Sequence, residues 1–471
     1  MKNHPRTLPV CFFTELWERY GFLLTQGLLT LLLVKVYGFD DSESYAISGA
    51  FIALLYMTSI MAGFIADKIL GALNTAIIGG VILCVGYLLL GFGYHIGPSV
   101  AYISLAIIAV ATGMIKSNTA TLLGDAYARD DPSRDYGFSL FFIAINLGAF
   151  CGGISSGYLS EISWKFAFST AAIGALLATL TLYFGMRYYV GYKAYTKLSI
   201  KKILQVTVII TLSIVFSVYI LSDVYVANMF FIIAAIASVG VILYACYSTG
   251  TSFFKGLSLI IYIATAIVWG AIFYQMVLTG PLLAERLTTQ MWLGLHIPSA
   301  TLLAVEALGV MLFGVFTGKV WQHFAKKGKP IHDATKFAIA LYIMGLCYAL
   351  ILLGLYLRSP MAMLSLGWLV TSYLFVALSD LSVNPIGLSI ANKLAPNGYH
   401  AIFIGVWYVG SGLSGKLAGV IADQSAIPKD LHDPVAITEI YIHAYSGFVE
   451  LALIAAVVMT IFIPVLKRFE R

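Results

Sequence analysis

The sequence predicts an all-α polytopic membrane protein, two six-helix bundles with two further helices inserted between them. Three observations carry this. Apolar residues make up 60% of the 471 residues and charged residues only 11%, against roughly 25% charged in soluble domains. The apolar residues gather into fourteen runs, each long enough to cross a bilayer. The basic residues then fall mostly on one side of those runs.

Mean hydropathy is +0.91. The apolar share amounts to about 283 residues, and at ~20 residues per crossing that suffices for fourteen helices. A soluble fold of this size has no interior large enough for them, and a disordered chain needs low hydrophobicity. Period-two alternation and aromatic girdles are missing, which excludes a β-barrel.

Taken in order, the runs between charged or Gly/Pro-rich breaks are 8–36, 46–66, 73–93, 98–124, 138–160 and 165–188, forming a first bundle over 1–190. A basic linker, Tyr192 to Lys202, leads to 203–222 and 226–247, the inserted pair within 191–255. The second bundle, 256–471, holds 256–280, 297–322, 336–357, 362–390, 401–421 and 441–466. The first run carries Glu15, Glu18 and Arg19 and extends past the length of a signal-peptide core, so it reads as a retained span.

An even number of spans puts both termini on one side. Twenty of the 28 basic residues lie on that side, five on the other (Lys35, Lys165, Arg286, Arg358, Lys429) and three inside spans (Arg19, Lys116, Lys416). Positive charge marks the cytoplasmic face, so both termini are expected in the cytoplasm of a multi-pass plasma-membrane (inner-membrane) protein. The net charge of +6 is then topological and calls for no nucleic-acid partner. Five cysteines, one per apolar segment with no C-x-x-C, and eight scattered histidines supply neither a disulfide framework nor a metal site.

Two repeated halves are a transporter arrangement, with substrate bound near the midplane. Charges placed inside spans point the same way. Glu15, Glu18, Glu306, Asp380, Glu450, Arg19, Lys116 and Lys416 each cost ~2.5–3.5 kcal/mol at the bilayer centre unless they pair or meet water. Structural pairing between helices is the plain explanation, and Lys416 and Glu450, each alone in its span, suit it best. Glu15, Glu18 and Arg19 differ, because spacings of three and four put them on one helix face. They leave one carboxylate over, which Lys116 can neutralise. A carboxylate near a lysine in low dielectric can take up and release a proton, the chemistry of a proton-coupled carrier.

At these residues the chain resembles the proton-dependent oligopeptide transporter (POT) family of the major facilitator superfamily. FTELWERYGF matches its Glu-x-x-Glu-Arg motif at Glu15, Glu18 and Arg19. GFIADKILG (Gly63 to Gly71) resembles the superfamily loop motif, with Asp67 and Lys68 in a gating or helix-capping role. GMIKSN holds Lys116, and RDYGFSLFFIAINLGAF places Asn146 at a substrate-contacting position. SDLSVNPIGLS resembles the tenth conserved span with Asp380 where the family usually has Glu, and KLAP and Trp407 continue the match.

The resemblance implies a major facilitator fold with fourteen helices and an alternating-access symporter that imports di- and tripeptides, driven by the proton gradient and without a cofactor. It implies that Lys116 meets the peptide carboxylate, that Asn146 and Asp380 meet its backbone and amino terminus, and that Glu15, Glu18 and Arg19 couple proton movement to gating. Phe22, Phe150, Trp269, Tyr274 and Trp407 are candidates for side-chain pockets, though ordinary packing suits any one of them. Expected partners are a small peptide, protons and the bilayer, with the monomer as the working unit.

Departures bear on the substrate. The family's first-span tyrosines fall on Phe22 and Leu23, an arginine on Gln26, the seventh-span glutamate on Tyr274 and the eighth-span asparagine on Glu306. Four interior acids (Glu15, Glu18, Glu306, Asp380) then face two bases (Arg19, Lys116), which makes Glu306 a candidate for both proton coupling and substrate binding. The alternatives are a carrier of another amine-bearing or cationic metabolite, or an exporter. An intramembrane enzyme would need a nucleophile–base or metal set that the sequence lacks, and a channel would want rings of like charge or carbonyls.

Overall fold

The computed structural model describes residues 4–128, 131, 133–191, 199–358 and 362–470. Lys2, Arg129, Lys193, Lys197 and Arg471 from the topology count, and positions 192–198 of the basic linker, lie outside these. Among the described residues, thirteen helical stretches are long and apolar enough to cross a membrane. Helix α1 (Thr7–Lys35), at 29 residues, is as long but carries Glu15, Glu18 and Arg19 and is less apolar.

The chain divides into two compact units, Met1–Phe39 with Leu54–Asp223, and Asp40–Ala53 with Val224–Arg471. In the first, α1 packs on α5 (Arg134–Ile162) and α6 (Trp164–Phe184), while α3 (Ala72–Phe92) lies against α4 (Ser99–Asp125) and α6. Helix α7 (Ile200–Ser222), the first of the inserted pair, packs on α4 within this unit. Small residues bring α5 onto α1: a Cβ at Gly148 would sit 2.2 Å from the Leu16 carbonyl oxygen, and one at Gly152 2.2 Å from that of Tyr20. This small-xxx-small contact presses α5 against the segment of α1 that carries Glu15 to Arg19. Helix α2 (Asp41–Ile65) ends in a π-helical turn, Ala66–Leu70, and Gly71 at φ 80 supplies the left-handed step that starts α3.

In the second unit, α8 (Val224–Thr249) packs on α9 (Phe253–Phe273) and α16 (His400–Ala422); α13 (Asp333–Leu357) lies against α14 (Leu366–Asp380) and α17 (Pro434–Phe469); and α12 (Leu303–Lys326) lies against α14. Among the described residues of this unit, two spans are broken. One runs α9, α10 (Gln275–Leu278), α11 (Gly280–Leu287), interrupted at Tyr274 and Thr279, with Pro281 opening α11. The other runs α14 to α15 (Asn384–Leu394), interrupted at 381–383, with Pro385 in the first turn of α15. Breaks in a helix leave carbonyls without their ladder N–H groups, and these must find donors inside a membrane. Tyr348 donates to the Ile272 carbonyl at 2.8 Å and Tyr373 to that of Met276 at 2.9 Å. The Gln275 side-chain amide donates to Ala271 O and Ala418 O.

The sequence predicts a loop over 281–296. The structure forms a hairpin there, Met291–Trp292 against Leu295–His296, turned by Leu293 (φ 50) and Gly294 (φ 79). Positive φ at both central residues matches the right-handed strand twist. Leucine is an unusual choice for that position, which is why the turn was not legible.

Between spans of the second unit, α13 starts on a histidine cap. His332 Nδ1 accepts the Ala334 N–H at 3.3 Å, so the neutral ring carries its proton on Nε2, which faces Glu470 at 3.4 Å. Glu470 also accepts from the Tyr262 hydroxyl at 2.8 Å and faces Lys393 at 3.6 Å. Burial lowers the His332 pKa from the ordinary 6.5, outweighing the pull of Glu470 and Asp333 and aided by Lys467 and Lys393. A lowered value favours the neutral folded form, so its stabilising effect is complete above about pH 6.5 and is lost as pH falls through the folded-state pKa. Thermal unfolding in detergent should therefore show a stability loss on acidification that His332→Asn reduces, since asparagine caps without titrating. An unchanged pH dependence in that variant would assign the loss elsewhere.

Candidate functional site

Each unit holds a cluster of the charges expected inside spans. In the first unit the i, i+3, i+4 spacing on α1 brings one guanidinium between two carboxylates. Arg19 Nε lies 2.5 Å from Glu18 Oε2 and 3.4 Å from Glu15 Oε1, and all three residues are at most 4% exposed. The Phe22 ring lies 4.3 Å from the Arg19 guanidinium carbon. Phe22 thus covers the arginine with a face that attracts cations but cannot donate a hydrogen bond. Lys116, on α4 in the same unit, lies in the field of Arg19, Glu18 and Glu15, and its ammonium sits 5.0 Å from the centre of the Tyr56 ring. Two acids and two bases then cancel. Gln26 is buried one turn beyond Phe22.

Asn146 is 7% exposed and its amide donates to the Phe142 carbonyl of its own helix at 2.9 Å, leaving the side-chain oxygen as the acceptor it can offer. Gly63 lies near the end of α2, and Asp67 and Lys68 are exposed on the π-helical turn that follows. The cap of α3 is Gly71 and uses no side chain.

In the second unit Glu306 (α12) and Asp380 (the last residue of α14) are both half-buried. The two helices touch where a Cβ on Gly309 would meet Ala377 Cβ at 2.6 Å. Glu306 lies three residues before that contact and Asp380 three after it, about 9 Å apart along parallel helices. Asp380 is the charged group whose field Glu306 feels, and the Asn384 amide, across the break, donates to Asp380. Trp269 anchors this region, since its Nε1 donates to Ser379 Oγ at 2.8 Å, and Ser379 donates on to Ala340 O at 2.8 Å. Tyr274 sits at the break after α9, 8% exposed and edge-on to Phe273. Trp407 is 3% exposed and packs over Gly387, where a Cβ would lie 1.9 Å from the indole.

The sequence reading did not single out Tyr56 or an ion pair that joins the start of α2 to the end of α11. Arg286 holds Asp41 with two bonds of 2.6 and 2.8 Å and also donates to the Tyr441 hydroxyl at 3.1 Å. An Asp41–Arg286 pairing cannot be read from a sequence in which 245 positions separate the two. Among the described residues no group of three His, Cys, Asp or Glu could hold a metal ion.

A bundle of membrane-crossing helices with broken spans and buried charges defines the class: a secondary transporter of the major facilitator fold. Solved structures of the same fold cover nearly the whole chain. They include one described as tetrameric PepTSo2 (TM-score 0.86, 22% identity, 98% of this chain and 99% of that one) and one described as the peptide transporter POT in complex with sulfate (0.84, 24%, 99% and 96%). The POT family model (PTR2) matches residues 73–436, and the chain belongs to the POT family. Curated relatives include dipeptide and tripeptide permease A of Cronobacter turicensis (strain DSM 18703 / CCUG 55852 / LMG 23827 / z3032), 26% identical over 100% of this chain and 94% of the relative. Dipeptide and tripeptide permease B of Aliivibrio fischeri (strain MJ11) is 28% identical over 99% and 95%.

Proposed function

We propose that this protein is a proton-coupled symporter that imports di- and tripeptides by alternating access. The observation that carries the reading is the buried Glu15–Glu18–Arg19 set with Lys116 in its field, three of the four fully inside the protein. Such a set is costly in a membrane and is retained where protons are handled. A peptide carries a carboxylate and an ammonium; Lys116 suits the first, Asp380 and Glu306 the second, and Asn146 its backbone. Phe22, Gln26, Tyr274 and Trp407 shape the surroundings, and Gly63, Asp67 and Lys68 serve the gating loop. The protein works in the inner membrane with both termini cytoplasmic, as a monomer, with protons as its only driving partner. In proteoliposomes, labelled dialanine should accumulate when the proton gradient is inward and stop when it is collapsed by an uncoupler. Uptake indifferent to the gradient would overturn the symport reading.

A specific observation favours a preference for cationic substrates within this reading. Among the described residues, the charged group acting on Glu306 is another acid, Asp380, and no base. Two carboxylates without a cation invite one from the ligand. Glu306→Gln should lower uptake of lysine-containing peptides several-fold more than that of dialanine and displace the pH profile. Equal effects on both peptides would make Glu306 structural.

A further inference from the structure

Four helices of the second unit meet on one carboxylate. Glu470, just past α17 and with its side chain 8% exposed, accepts from the Tyr262 hydroxyl of α9 at 2.8 Å. His332 Nε2, at the cap of α13, lies 3.4 Å from it, and Lys393 Nζ, next to last in α15, lies 3.6 Å from it. Asp333 shares Lys393 with Glu470, at 3.9 Å, and holds the Lys336 ammonium at 2.8 Å. Lys467 of α17 adds a third ammonium to the field around His332.

Of these groups Lys393 is held least. Its side chain is 60% exposed and its two contacts are long, whereas Lys336 is 17% exposed and close to its partner. An exposed pair of this kind is weak, and so easily released. Its position gives it weight, because α15 is the half of its span that follows the break at 381–383, packed on α9 and α16. Lys393 ties the far end of that half to α13 and α17.

The charge count decides what acid does here. With His332 neutral, two carboxylates serve three ammonium groups, Lys336, Lys393 and Lys467. A proton on His332 adds a fourth cation beside Glu470 and removes the Nδ1 lone pair that caps Ala334. The surplus positive charge drives Lys393, the most exposed ammonium with a carboxylate partner here, into water.

We propose that His332, Glu470 and Lys393 form an acid-released latch on α15. Neutral His332 leaves Glu470 to Lys393, which holds the half-helix; protonated His332 takes Glu470 and frees it. Because burial lowers the His332 pKa, the latch stays closed near neutral pH and opens only below the ordinary 6.5. On the face proposed to be cytoplasmic, the acid would come from protons imported with the substrate. That link rests on the symport reading; the latch itself does not.

A spin label on the exposed Ser389 of α15 tests it, in the full chain reconstituted in lipid. Cys84 and Cys151, the two cysteines that are not buried, are changed to serine. Between about pH 7.5 and about pH 5.5, the range in which histidine titrates, the mobile component of the spectrum should rise several-fold. His332→Asn, which keeps a cap and has no proton to gain, should stay immobile at both. Lys393→Gln should be mobile at both, as should Glu470→Gln, which still accepts from Tyr262. A spectrum in the parent protein that ignores pH overturns the latch, as does an immobile label in Lys393→Gln at the higher pH. A response that persists in His332→Asn overturns it too, by placing the effect on the carboxylates or on His400, whose Nδ1 lies 3.1 Å from Asn392. The label reads α15 without any transport, so the two readings fail separately: gradient-indifferent dialanine uptake beside a pH-responsive label removes the symport and leaves the latch.

Discussion

Lys116→Ala is expected to abolish proton-driven accumulation, by roughly a hundredfold or more, the scale on which removal of a positioned proton-handling group acts. The first unit buries two acids and Arg19, and the lysine brings the set to neutrality. Without it a net negative charge is left inside the membrane, where it is costly. The same amine is the group proposed to meet the peptide carboxylate, so counterflow exchange should fall together with accumulation. Among the described residues the substitution cuts no hydrogen bond between helices, and the ammonium's aromatic contact, with Tyr56, is worth ~0.5–2 kcal/mol. Folding and insertion should survive, as a monodisperse peak in detergent would show. Wild-type accumulation by this variant would remove Lys116 from the mechanism.

Glu18→Gln should separate coupling from binding. Its carboxylate is fully buried, 2.5 Å from Arg19 Nε. Glutamine keeps an oxygen there to accept from the guanidinium, so the helix face stays packed while the titrating group is gone. Accumulation against a gradient is expected to fall roughly a hundredfold, with counterflow exchange of a labelled dipeptide retained. The contrast with Lys116→Ala is the informative part, since one variant should lose exchange and the other keep it. Concentrative uptake in Glu18→Gln would move the coupling site elsewhere, with Glu15 the nearest remaining acid.

Much of this was legible because a bilayer penalises every charge within it. Glu15, Glu18 and Arg19 stand out in an apolar run, and their spacing alone places them on one helix face. Lys116 could be assigned to them by charge balance before any packing was known. The spans were legible for the same reason, with ends within several residues. Helix α17 shows the limit: its Asp433 cap and Pro434 start it seven residues earlier than the apolar run does.

The breaks at Tyr274, Thr279 and 381–383 left little trace, because a run that is apolar on all faces looks the same whether its helix is continuous or not. Gly280–Pro281 and Asn384–Pro385 were the available signals, and each also fits an unbroken span end. The hairpin at 291–296 hid behind Leu293.

By itself, then, the sequence determined the membrane class, the number of spans and the α1 charge cluster. All of these follow from local composition and helical period against the cost of charge in lipid. Only the tertiary structure decided which distant groups meet: Asp41 with Arg286, Glu470 with His332 and Tyr262, and Trp269 with Ser379. Those pairings depend on which helix faces touch. The faces are selected by close contacts such as Gly148 on Leu16 and Gly309 on Ala377, whose partners lie far off in the chain and leave no periodic mark in it.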